Sequence, residues 1–122
     1  MKTLAKRGED YLETIYNMSA THGHAHSADI AKALGVSKPT VFKALQTLGN
    51  QGFVVKQPYG DVTLTDKGKS HAQDVIKKHN AVKKLLIQVL KVSPEQAEID
   101  ACKIEHCLSR ETTDKLLDFL SK

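Results

Sequence analysis

The sequence predicts a mainly α-helical chain with one small β-hairpin, and three observations lead there. Apolar residues recur at helical spacing in several separate segments. Gly35, Ser37 and Pro39 punctuate two of those segments within five positions, an αL-tolerant helix end followed by an N-cap and a proline suited to a first turn. A run of extended-type residues, Phe53 to Thr65, then turns around Pro58-Tyr59-Gly60-Asp61.

In chain order, residues 5–21 carry Tyr11, Leu12, Ile15, Tyr16 and Met18 among charges, a helix with one apolar face. Ala20 to His26, with three of the six histidines, reads as a loop whose histidines are exposed. Ile30, Ala31 and Leu34 define a short helix ending at Gly35. A second begins at Ser37, with Val41, Leu45 and Leu48 inward and Ser37, Lys38, Thr40, Lys43 and Gln46 outward. Two helices joined by a tight Gly-containing turn form a helix-turn-helix, whose second member enters the DNA major groove. The outward hydroxyls and the Pro39 ring suit thymine methyls, and the lysines suit phosphates or guanine edges. The hairpin that follows, with apolar Val54, Val62 and Leu64, completes the winged-helix order and places Lys56 and Tyr59 on the wing.

After the wing, a long helix is expected from Asp66 to Lys91, about 25 residues or nearly 40 Å. Such a helix is too long for the winged helix to cover, so its later half needs another partner. Ser93-Pro94 opens a helix expected to reach Leu108, and Ser109 opens a last one ending at Leu120. These short amphipathic elements bury little area alone, which predicts a homodimer. Two recognition helices could then read two half-sites of a palindrome. The expected organisation is a winged helix-turn-helix DNA-binding domain over 1–71 and a helical dimerisation and metal-binding domain over 72–122.

Composition suits one compact domain or a small domain plus an association element: 122 residues, 40% hydrophobic, net charge +4. Residues 1–71 hold nine Lys or Arg against six Asp or Glu, and residues 72–122 nine against eight, so the basic excess lies with the helix-turn-helix half. No apolar run reaches membrane-span length and the N-terminus has no signal-peptide core, so a cytoplasmic protein is expected. Cys102 and Cys107 fall on different helix faces, which disfavours a local disulfide. No phosphate-binding Gly-rich loop is present and no substrate pocket is expected, which argues against an enzyme.

One constellation carries chemistry. Cys102, Glu105 and His106 stand at i, i+3 and i+4, so a thiolate, a carboxylate and an imidazole share a helix face. That donor set suits Fe(II), Co(II), Ni(II) or Zn(II), the thiolate making Mn(II) less favoured. Asp10 and Glu13 form a second, acidic pair three apart, and His79 alone reads as an ordinary helix residue.

The stretches Glu9-Asp-Tyr-Leu-Glu-Thr-Ile-Tyr16, Asp29-Ile-Ala to Ser37-Lys-Pro-Thr-Val41, Leu64-Thr-Asp-Lys-Gly68, Lys78-His79 and Ala101-Cys-Lys-Ile-Glu-His-Cys-Leu-Ser109 occur in one order along the chain. In them the chain resembles the diphtheria toxin repressor family of metal-activated transcriptional repressors, which includes iron-dependent and manganese-transport regulators. The resemblance implies a Fe(II)- or Mn(II)-dependent DNA-binding regulator, a repressor of metal-uptake genes that binds palindromic operators as a homodimer. It implies a primary metal site of Asp10, Cys102, Glu105 and His106. Asp10 matches the manganese branch and Cys102 the iron branch, so the site is a hybrid. Glu13 and His79 match the second position of the manganese branch. The iron branch's ancillary site is expected to be absent, because Lys83 and Glu98 stand where it has a Glu and a His. So is its SH3-like third domain. For DNA, Ser37, Pro39 and Thr40 match the start of the recognition helix, whereas Lys43 replaces a polar residue. Fe(II) is the favoured ion, then Mn(II), with Zn(II), Co(II) or Ni(II) as further candidates. The competing reading is a metal-independent or thiol-redox-sensing winged-helix transcription factor.

Overall fold

The computed structural model describes residues 6–122. Internal contacts divide the chain after Gln73 into two compact units. The first contains α1 (Lys6–His22), β1 (Ala25–His26), α2 (Ser27–Leu34), α3 (Lys38–Asn50), β2 (Val54–Lys56), β3 (Asp61–Leu64) and the start of α4 (Asp66–Lys84). Position 5, where the sequence pattern starts the first helix, lies outside the described residues.

The helix-turn-helix forms as its punctuation dictates. Gly35 closes α2 at φ 67, ψ 35, a left-handed conformation with no Cβ penalty. The Ser37 hydroxyl caps α3 by accepting from the Thr40 N–H at 3.2 Å, with Pro39 in the first turn. One core then collects Tyr11, Leu12 and Ile15 from α1, Ile30 and Ala31 from α2, and Val41, Leu45 and Leu48 from α3. Phe53, Val54, Val62 and Ala72 complete it.

The sheet has three strands where the sequence reading has a two-stranded hairpin. β3 pairs antiparallel with β2 on one side, Val54 opposite Leu64, and with β1 on the other, Ala25 opposite Val62. The stretch read as an exposed loop is thus the end of α1 followed by a strand, and Ala25 is 1% exposed. A single turn of 3₁₀ helix, Pro58–Gly60, joins β2 to β3. Thr65 then caps α4, its hydroxyl accepting from the Gly68 N–H at 3.0 Å and donating to the Gly52 carbonyl at 2.6 Å. Gly68 permits the close approach there, since a Cβ would overlap the Phe53 carbonyl oxygen.

The second unit, Asp74–Lys122, holds the rest of α4, a π-helical turn over Leu85–Val89, α5 (Pro94–Ile104) and α6 (Arg110–Leu120). The long helix expected to Lys91 therefore stops being α-helical at Lys84, and Lys91 sits at φ 60 beyond it. The helix expected to reach Leu108 ends at Ile104, so Glu105 and His106 occupy the turn after it. Ser93 and Ser109 cap α5 and α6 through the Gln96 and Thr112 N–H groups. Val82, Leu86, Ala97 and Ala101 form a small core of their own, backed by Ile87, Val92, Leu108 and Leu116. Val89, Leu90, Ile99, Ile104 and Phe119 remain exposed in this unit. Among the described residues, no helix is long and apolar enough to cross a membrane.

Candidate metal centre and nucleic-acid interface

The second unit gathers its chemistry around His79. Glu105 is 2% exposed, and its carboxylate meets His79 Nδ1 at 2.7 Å and His106 Nε2 at 3.2 Å. Burying a carboxylate this deeply is costly unless donors or a cation face it. Here the His79 imidazole hydrogen-bonds to it and the His106 ring stands alongside. The Cys102 Sγ lies 3.9 Å from the same His79 Nδ1. On the opposite edge of the ring, His79 Nε2 meets the Glu98 carboxylate at 2.5 Å, and Lys83 Nζ lies 3.6 Å from the other Glu98 oxygen. One ligand atom each from His79, Glu98 and Cys102 falls within a 4.8 Å span. Thiolate, imidazole and carboxylate donors this close, with a buried Glu105 beside them, fit a divalent first-row ion.

The sequence-predicted ligands Cys102, Glu105, His106 and His79 are thus brought together. Asp10 and Glu13 are placed on α1 in the first unit, three residues apart and half-buried. Asp10 lines a small cleft of about 160 Å³ with Arg7, Tyr11, Leu34 and Val36. The Tyr11 hydroxyl there is buried and has no hydrogen-bond partner among the described residues. Burial raises its pKa above 10.0, against the opposing charge of Arg7. Sequence reasoning treated Glu98 only as a replaced ligand. Its spacing is the signal that was available: 98, 102 and 105 stand at i, i+4 and i+7, a stripe along α5 that runs on into its C-cap.

The nucleic-acid candidates lie in the first unit, on α3 with its N-cap and on the wing. Ser37, Lys38, Pro39 and Lys43 are exposed and Thr40 is half-buried at or near the start of α3. The Ser37 hydroxyl also meets the Thr40 hydroxyl at 2.7 Å, so both are partly committed to the cap. Lys56, exposed on β2, holds its Nζ 3.9 Å from the centroid of the Phe42 ring, a cation–π contact between wing and recognition helix. Phe42 itself is 57% exposed, an outward residue the sequence reading passed over, although it stands at i+4 from Lys38. Tyr59 caps the wing at 95% exposure. Lys38, Pro39, Phe42 and Lys56 line a cleft of about 480 Å³ between helix and wing.

Comparison with known proteins agrees with both halves. A family model described as the iron dependent repressor N-terminal DNA binding domain matches residues 3–62. A second, described as the iron dependent repressor metal binding and dimerisation domain, matches 65–122. The transcriptional regulator MntR of Salmonella typhimurium is 42% identical over 111 residues, covering 91% of this chain and 70% of that one. The HTH-type transcriptional regulator MntR of Lysinibacillus sphaericus is 34% identical over 112 residues, covering 92% and 80%. Among solved structures, the metal-dependent transcriptional regulator MtsR superposes with a TM-score of 0.86 at 27% identity, covering 93% of this chain and 53% of that one. The manganese regulator SloR superposes at 0.82 and 28% identity, covering 98% and 55%. The chain thus spans about half the length of these two solved regulators. With a winged helix-turn-helix in one half, a donor cluster in the other and both matched by models of one family, the chain belongs to the iron dependent repressors, which are metal-dependent transcriptional regulators and not enzymes.

Proposed function

We propose that this chain is a cation-activated repressor of metal-uptake genes that works as a homodimer on palindromic operators in the cytoplasm, with Fe(II) the favoured ion and Mn(II) next. The supporting observation is the buried Glu105 carboxylate flanked by His79 and His106, with Cys102 at the same imidazole edge. The ligand set is Asp10, Cys102, Glu105 and His106, with Glu13 and His79 serving a second position. For Asp10 and Glu13 the support is the family resemblance. The DNA-binding domain is 1–71 and the dimerisation and metal-binding domain 72–122. The division of contacts after Gln73 supports a boundary there.

When bound, the ion supplies positive charge that offsets the carboxylates and the thiolate. The residues of the chain do the rest. Tyr11, Leu12 and Ile15 of α1 pack in one core with Ile30 of α2 and Val41 and Leu45 of α3. A restraint on Asp10 is therefore passed through close-packed side chains to the recognition helix. Regulation is a population shift: the DNA-competent arrangement holds the ion more tightly than the loose one, and DNA must tighten ion binding reciprocally, by a coupling of roughly 1 to 3 kcal/mol. On the duplex, Ser37, Pro39 and Thr40 would meet base edges, and Lys38 and Lys43 phosphates or guanine edges. Lys56 and Tyr59 would meet phosphates.

The test is fluorescence anisotropy of an operator-bearing duplex, with and without Fe(II), Mn(II), Zn(II) or Co(II). The expected result is tighter binding with an activating ion, abolished in the Glu105→Ala, His106→Ala double variant. Equal affinity under every condition would remove the claim.

A further inference from the structure

The three histidines before α2 are not equivalent, and one of them holds the wing. His26 ends β1 and caps α2, its Nδ1 accepting from the Ala28 N–H at 3.1 Å. An imidazole nitrogen that accepts carries no proton, so in the neutral ring the proton is on Nε2. That nitrogen lies 2.6 Å from the Tyr59 carbonyl oxygen, and therefore donates to it. One side chain thereby fixes the first turn of the helix-turn-helix and the backbone of the wing tip.

The tip is shaped to accept this contact. Gly60 lies at φ 84, and a Cβ there would stand 2.8 Å from His26 Nε2 and 2.9 Å from Ser27 Oγ. Only glycine lets the ring come this near without displacement. Tyr59 takes φ 63, a left-handed conformation disfavoured for an aromatic residue, yet its side chain is 95% exposed and adds nothing to the core. Gln57 N–H donates to the Asp61 carbonyl at 2.7 Å and closes the tip from below, while the antiparallel register puts His26 opposite Asp61. At the tip-side end of β2, Lys56 stacks on Phe42 of α3. The tip end of the hairpin is therefore tied to the helix-turn-helix at two points, by a hydrogen bond at Tyr59 and a cation–π contact at Lys56.

We propose that His26 is a positioning residue for DNA binding, a latch from helix cap to wing tip that presents Tyr59 and Lys56 to the nucleic-acid backbone in one orientation. The proposal rests on the reading of these two wing residues as phosphate contacts. A wing free to swing would have to be ordered on the duplex, and that entropy cost appears as lost affinity.

The test uses the full chain, the activating ion at a fixed saturating concentration, and a duplex selected from a random pool by the parent protein. His26→Asn keeps a good capping oxygen for Ala28 but is too short to reach Tyr59, so it separates latch from cap. It is expected to melt with the parent and to bind the duplex about three- to tenfold more weakly, a loss of the size one positioning contact contributes. Tyr59→Ala is expected to weaken binding to a similar degree. Adding His26→Asn to the Tyr59→Ala, Lys56→Ala double variant should weaken binding no further, because the latch acts only through those residues. Lys56→Ala should lower the slope of log affinity against log salt by about 1. If Tyr59→Ala and Lys56→Ala both bind like the parent, the wing reading fails. If they weaken binding while His26→Asn does not, the latch alone fails. Long-range proton–nitrogen NMR of the free parent gives an independent readout. The ring proton is expected on Nε2, and a proton on Nδ1 alone would overturn the proposal whatever the variants do.

Discussion

At the scale of single residues, Glu98 is the side chain whose contacts say most. It holds one edge of the His79 ring while Cys102 and Glu105 face the other. A carboxylate behind an imidazole orients the ring and raises its donor strength. Glu98→Ala is expected to weaken divalent-ion uptake roughly 10- to 100-fold, read by calorimetric titration with Co(II) or Mn(II). An unchanged isotherm would make Glu98 an ordinary surface carboxylate paired with Lys83. Tyr11 offers the opposite case. Its hydroxyl is buried without a partner among the described residues, so Tyr11→Phe is expected to leave the fold as stable as the parent or up to about 1 kcal/mol more stable in urea unfolding. The donor types at 102, 105 and 106 were legible in the sequence because their spacing places them together. Their burial was not: Cys102 is exposed and Glu105 nearly inaccessible, the reverse of what residue chemistry alone favours.

At the scale of elements, the caps were legible and the irregularities were not. Ser37, Ser93 and Ser109 each precede a helix and each cap it, because a short hydroxyl before an apolar period has one favourable use. The strand Ala25–His26 escaped notice because two residues cannot show a period of two. The π-helical turn at Leu85–Val89 escaped because an extra residue in a turn leaves the apolar run Leu85-Leu-Ile-Gln-Val-Leu90 unaltered in composition. Packing gives that turn a purpose, since Leu86 enters the second core with Val82, Ala97 and Ala101. Leu86→Ala should therefore destabilise the protein by about 2 to 5 kcal/mol in denaturant titration, a large share of so small a cluster. Ser37→Ala should cost about 1 kcal/mol and fray the start of the recognition helix, seen as faster amide exchange at Thr40.

For the whole molecule, the second unit has a core too small to explain its remaining apolar surface. Val89, Leu90, Ile99, Ile104 and Phe119 stay exposed within the region matched as a metal binding and dimerisation domain. A second copy covering such side chains would agree with that description, and a charge among them should then prevent pairing. Phe119→Asp with Ile99→Asp is expected to shift the protein to monomer in analytical ultracentrifugation and to abolish preference for a palindromic duplex over a single half-site. A variant that remains dimeric would place the subunit interface elsewhere.

The two cysteines give the assembly a practical handle. Both thiols are exposed and neither is in a disulfide, but only Cys102 lies beside the His79 ring; the Cys107 sulfur points to the Lys103 carbonyl. An alkylating reagent therefore meets two competing targets in every molecule, one at the proposed centre and one outside it. The ratio of their labelling rates becomes an internal gauge of occupancy that needs neither DNA nor a coloured ion, and it could be read by peptide mass spectrometry in a crude extract.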